Sequence, residues 1–169
     1  MSDGGTSGII DAFSINVGRA TAWLTLLMVI ITFAIVVMRY VFGTGFIWMQ
    51  QSLSWMHAAV FMLGAAYTLQ ADEHVRVDIF YRGTSENRRA WVNLFGVLLF
   101  VFPLCITLFY QSYAYVSISW SIGEISRDAG GLPYPAIPLL KSFLFLMPLT
   151  VSLQGLSLLL QSLHTIRTN

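Results

Sequence analysis

Three histidines are the residues of this chain whose chemistry is easiest to name. His57 lies in the middle of an apolar run, and His74 and His164 lie near the polar ends of that run and of the last one. An imidazole can ligate haem, carry a proton or make hydrogen bonds. Haem clasped between membrane helices needs two histidines at matching depth on facing helices. His57 has no mate at its depth, so its position favours an interhelical hydrogen bond. His74 and His164 match in depth but sit among polar residues. A four-helix membrane anchor of a redox enzyme is therefore the competing reading, and no cofactor is assigned to this chain. The single thiol, Cys105, excludes an internal disulfide or a relay of paired thiols. In an apolar run it reads as a small packing residue.

The remaining ionisable groups are concentrated. In "ADEHVRVDIFYRG", residues 71–83, six of thirteen residues are Asp, Glu, His or Arg. The 32 residues before Asp72 contain none of Asp, Glu, Lys or Arg, and neither do the 34 after Arg89. Within "HVRVDIFY" polar residues alternate with Val75, Val77 and Ile79. This suits either a short extended segment or one face of an interfacial helix. His74, Arg76 and Asp78 are the candidate structural contacts here. The bland alternative is a solvated loop whose arginines fix topology.

These groups must be positioned by very apolar elements. The 169 residues are 56% hydrophobic and 10% charged, against about a quarter charged in soluble domains. Eight acids and nine bases cannot cover the surface of a water-soluble fold this long. A net charge of +1, with no basic tail or stripe, gives no reason to expect nucleic acid. Charges bound four uncharged runs: 19 residues from Arg19 to Arg39, 32 to Asp72, 34 from Arg89 to Glu124, and 25 from Lys141 to Arg167. Roughly 20 apolar residues cross a hydrocarbon core of ~30 Å. The runs are continuous rather than alternating, which excludes a membrane barrel.

The expected fold is an all-α integral membrane protein with four transmembrane helices, at about 20–42, 47–71, 90–112 and 142–163. Residues 1–19 form a polar cytoplasmic or interfacial segment without the features of a cleavable leader, and 20–169 form one domain. "FGTG" at 42–45 reads as a tight turn making the first two helices an antiparallel hairpin. Pro103 and Pro148 fall within the third and fourth spans and are expected to kink them. Four spans put both termini and the 72–89 loop on one side. That side carries Arg19, Arg76, Arg82, Arg88, Arg89 and Arg167, against Arg39, Arg127 and Lys141 on the other. The excess places the termini in the cytoplasm. The span centres carry no Asp, Glu, Lys or Arg, although a self-sufficient transporter ordinarily holds an ionisable group deep in the membrane. Transport chemistry then belongs to another chain.

Two further stretches offer contacts. "WMQQSLSWMH" opens the second helix, with Trp48 as interfacial anchor, Trp55 on its face two turns on, and Gln51 placed to bond another helix or a partner. "GAA" at 64–66 permits close helix approach. After the third span, Tyr113, Val116, Trp120 and Gly123 recur at helical spacing with serines on much of the other face. The helix is expected to continue beyond the membrane and stop at "DAGGLPYP". This segment reads as a membrane-surface helix or a periplasmic docking ledge, with Trp120, Glu124 and Arg127 among its contacts.

"RYVFGTGFIWMQQ", "FMLGAAYTLQADEHVRVDIFY" and "GEIS…GLPYPAIP" together resemble the small membrane subunit, of DctQ type, of tripartite ATP-independent periplasmic (TRAP) transporters. The resemblance covers nearly the whole chain after its N-terminal segment, with "HVRVDIFY" its most specific element. It implies a location in the bacterial inner membrane and two protein partners, a large many-helix membrane subunit and a periplasmic substrate-binding protein. It also implies sodium and substrate sites in the large subunit, uptake of carboxylate-bearing organic anions, and a non-catalytic scaffold role for this chain. One departure stands out: where the family often has an acid after the glutamine of "WMQQ", this chain has Gln51.

Overall fold

In a hydrocarbon layer every backbone N–H and C=O must be satisfied within its own segment, and long apolar runs answer that demand as helices. A computed structural model describes residues 6–71 and 85–168, and every regular element among them is helical. Helix α1 spans Thr6–Tyr40, α2 spans Ile47–Gln70, α3 spans Glu86–Gly96, α4 spans Phe102–Ser121 and α5 spans Ala136–Thr168. A π-helical turn, Val97–Val101, joins α3 to α4, so 36 residues from Glu86 to Ser121 run as one rod.

Three of these helices are long and apolar enough to cross a membrane: Ser7–Tyr40, Glu86–Ser121 and Ala136–Thr168. Three of the four expected spans thus meet both requirements, and α2 is the one that does not. With 24 residues, α2 extends about 36 Å, ample for a bilayer core. Its composition is what falls short, since Gln50, Gln51, Ser52, Ser54, His57, Thr68 and Gln70 dilute it.

Residues 6–19 are continuous with the first span, since α1 is already helical from Thr6. Its early turns carry a pattern easily mistaken for a polar tail. Ser7, Asp11, Ser14, Gly18 and Thr21 recur at alternating steps of four and three, one side of a helix. Ser14, Gly18 and Thr21 are buried, while Ile9 and Phe13 point outward. The small and polar residues face protein and the large apolar ones face away, the pattern of a helix in lipid.

Gly43, with φ of +65°, supplies the left-handed residue that ends α1, and Thr44 N–H returns to the Met38 carbonyl at 3.0 Å. The chain then doubles back, and α2 packs along α1 as the glycine turn led us to expect. The close approach is made by Gly18 rather than Gly64. A Cβ on Gly18 would collide with the Tyr67 ring, whereas Gly64 faces open space. Ala59 and Ala66, both buried, supply the small surface of α2.

Helix α5 is the centre of the molecule. In its most apolar stretch 39% of residues are buried, against 6% for α1, so the other helices are arranged around α5. It packs against α1 and α2 on one side and against α3, the π turn and α4 on the other. Among the described residues the α3–α4 rod makes no packing contact with α1 or α2.

Pro103 does not interrupt its rod. The π turn stands immediately before it, with Phe102 N–H bonded to the Val97 carbonyl, so the widened turn absorbs a residue that has no N–H to give. Val97 and Val101 of that turn rest on Gly155 of α5. Pro148 is likewise inside α5, which continues through it. The rod persists to Ser121, as the helical spacing beyond residue 112 implied. Its inward face, however, combines Val116 with the serines Ser112 and Ser119, while Tyr113, Tyr115 and Ile118 point outward.

Candidate functional site

The described residues hold two polar clusters, one at each end of the helices. At the end with the α1–α2 turn, Gln51 organises the loop between α4 and α5. Its Nε2 donates to Ser126 Oγ at 2.7 Å and to Asp128 Oδ2 at 2.9 Å, and its Oε1 accepts from Leu132 N–H at 2.8 Å. Both amide protons and the carbonyl are thus engaged. Gly131 is required beneath, because a Cβ there would collide with Ser126 and Gln51. One turn along α2, Trp55 Nε1 donates to the Ala136 carbonyl at 3.1 Å, and its ring meets Phe143 edge-on at 4.9 Å.

Beside this, Glu124 Oε2 accepts from Ser119 Oγ at 2.6 Å and pairs with Lys141 Nζ at 2.6 Å. The ammonium also stands over the Tyr115 ring, 3.9 Å from its centroid. The hydrogen bond from Lys141, then that from Ser119, holds the Glu124 carboxyl below its ordinary range. Trp120 Nε1 donates to Ser142 Oγ at 2.9 Å, and its ring lies edge-on to Tyr134. An apolar groove of about 370 Å³ opens between Trp55, Met56 and Leu139 on one side and the loop residues Leu132–Pro135 on the other.

Of the candidates named from sequence, Gln51, Trp55, Trp120 and Glu124 therefore gather at one end: Gln51 and Trp55 tie α2 to the loop and to the start of α5, and Trp120 and Glu124 bond across the α4–α5 connection. Trp48 is exposed in the first turn of α2, where it meets Phe46, and Arg127 is exposed in the loop. His74, Arg76 and Asp78 lie outside the described residues. His57 makes no hydrogen bond among the described residues and is exposed on α2, contrary to the interhelical bond its position suggested. His164 is exposed near the end of α5.

At the opposite end lies a cluster that the sequence reading passed over. Asp11 Oδ1 accepts from Gln154 Nε2 and Ser157 Oγ, each at 2.8 Å, and its Oδ2 accepts from Gln161 Nε2 at 3.0 Å. Ser14 Oγ donates to Gln154 Oε1 at 2.7 Å. Ser14, Gln154 and Ser157 are all but fully buried, so a polar seam fastens the first turns of α1 to α5. The signal was available: Gln154, Ser157 and Gln161 on α5, at steps of three and four, share one helix side as Ser7, Asp11 and Ser14, at steps of four and three, do on α1. Nearby, Glu86, Arg89 and Asn93 of α3 and Gln161 and Thr165 of α5 line a polar cleft of about 400 Å³.

No group of three or more His, Cys, Asp or Glu among the described residues is placed to hold a metal ion. These side chains fasten helices and a loop to one another, and what they build is a set of long apolar helices with a clamped loop at one end. A model of the family described as tripartite ATP-independent periplasmic transporters, DctQ component, matches residues 28–166, and the chain belongs to that family. None of the curated proteins and none of the solved structures compared with the chain matches it. Membership makes it a small permease component that works with a large membrane subunit and a substrate-binding protein.

Proposed function

We propose that this chain is a non-catalytic scaffold in sodium-coupled, binding-protein-dependent uptake of organic anions, widening and steadying the large subunit in the bacterial inner membrane. The observation that carries this reading is the use made of Asp11. It is an acid within a membrane-length helix, and three donors of α5 occupy its two oxygens. A carboxylate so engaged joins helices and is not offered to a solute or an ion.

In this reading α2 crosses the bilayer with the other three helical units, covered on the side that lipid cannot serve. The termini and the 72–89 loop are cytoplasmic, and the ordered loop with Gln51, Trp55, Trp120, Glu124 and Arg127 faces the periplasm, where the binding protein arrives. His74, Arg76 and Asp78 seat the cytoplasmic loop against headgroups or the large subunit.

Reconstitution tests this. Vesicles containing this chain alone are expected to take up none of a panel of radiolabelled carboxylates under a sodium gradient. Vesicles that also contain the large subunit, with binding protein added, are expected to take up at least one. Uptake by the chain alone would overturn the scaffold role.

A further inference from the structure

The outward faces of α1 and α2 differ in kind. On α1, Trp23, Leu26, Leu27, Ile30 and Phe33 point away from the protein, and Thr32 turns its hydroxyl back to the Met28 carbonyl at 2.7 Å. Such a face asks nothing of its surroundings but hydrocarbon. On α2 the outward stripe is Gln50, Ser54, His57, Phe61 and Gly64, at steps of four, three, four and three. Met56, Ala59 and Ala66 lie on the opposite side, buried against the rest of the chain.

Ser54 satisfies itself through the Gln50 carbonyl at 3.4 Å. The Gln50 amide and the His57 imidazole have no partner among the described residues. His57 is ten residues from the start of a 24-residue helix, about 15 Å along it, too far in for a headgroup at that end to reach. An imidazole turned to lipid at such depth would be costly, and groups of this kind in membrane helices face protein or water. Gly64 opens on empty space, leaving a hollow beside Phe61 where another backbone can come close.

We infer that the Gln50–Ser54–His57–Phe61–Gly64 stripe of α2 is the surface on which a helix of the large membrane subunit lies, and that this helix presents a hydrogen-bonding side chain to His57. The inference rests on the reading of this chain as the partner of a large permease. It adds which helix, and which face of it, makes the junction. The hydrogen-bonding demand is what selects the occupant: lipid cannot meet it, and a soluble binding protein cannot reach it.

The test uses the co-expressed complex in native membranes, with a photoreactive benzoylphenylalanine placed at His57, at Phe61 and, as a control, at Ile30 of α1. Adducts with the large subunit are expected from 57 and 61 and not from 30. In parallel, His57→Leu is expected to lower the large subunit recovered with this chain by roughly threefold or more, with the melting temperature of the isolated subunit unchanged. An adduct at 57 between two copies of this chain would overturn the inference in favour of self-association. The absence of any protein adduct from 57 and 61, while the large subunit still co-purifies, would overturn it in favour of lipid and leave the scaffold reading standing. Failure of the large subunit to co-purify with the unsubstituted chain would remove both.

Discussion

Gln51 illustrates how one side chain can organise a loop. A carboxylate at this position, the residue type that resemblance led us to expect, could accept from Leu132 N–H but could give nothing to Asp128. The amide does both. Gln51→Glu would set two carboxylates against each other across a 2.9 Å contact. We expect it to destabilise the subunit by about 1–2 kcal/mol, read as a lowered melting temperature in detergent. Adding Asp128→Asn should recover part of the loss by restoring a donor. No recovery in the double variant would mean that the two positions act independently.

That Gln51 bonds across elements was legible, because an amide just inside an interface must find partners. Its particular partners were not, since Ser126, Asp128 and Leu132 lie more than seventy residues away and only the folded loop brings them close. Lys141 was read merely as a boundary charge for the same reason: its pairing with Glu124 depends on how the 122–135 connection returns.

Helix boundaries show a different limit. The apolar cores of the helices were visible, because uncharged runs of this length have few other fates. The beginning of α1 was not, because its Ser7, Asp11, Ser14 stripe looks like a solvated tail until the matching Gln154, Ser157, Gln161 stripe of α5 is laid against it. Polar residues in a membrane helix carry the packing signal that apolar residues carry in water. Asp11→Ala would leave Gln154, Ser157 and Gln161 without their shared acceptor. It is expected to cost about 1–3 kcal/mol and to loosen α1 from α5, measured as a fall in melting temperature and faster proteolysis near the N-terminus. Phe13→Ala, on the outward face two residues away, should change neither. Equal behaviour of the two variants would show that the seam does not hold the helices together.

For the molecule as a whole, the helix pairing puts the 41–46 turn and the 122–135 loop at one end of the helices and Thr6 and Thr168 at the other, and the arginine count is the ground for proposing that the second end is cytoplasmic. Single cysteines in a Cys105→Ala background can check the proposed direction. A membrane-impermeant thiol reagent added to intact cells is expected to label Thr44→Cys and Ala129→Cys but not Thr168→Cys. Labelling of Thr168→Cys alone would invert the topology and remove the loop from the periplasm. What the sequence could not reveal at this scale is the central place of α5. Its lower hydropathy and its two glutamines set it apart from α1 in composition, but only the contacts around it show that the other helices gather on it.

The lengths of the helices have an architectural result. With 35, 36 and 33 residues, α1, the α3–α4 rod and α5 are each about 50 Å long, whereas a bilayer measures about 40–45 Å even with its headgroups. Such beams must lean or overhang. An overhang at the end carrying Gln51 and Glu124 would make the clamped loop a raised parapet, lifted clear of the lipid headgroups on the face proposed here to meet the binding protein.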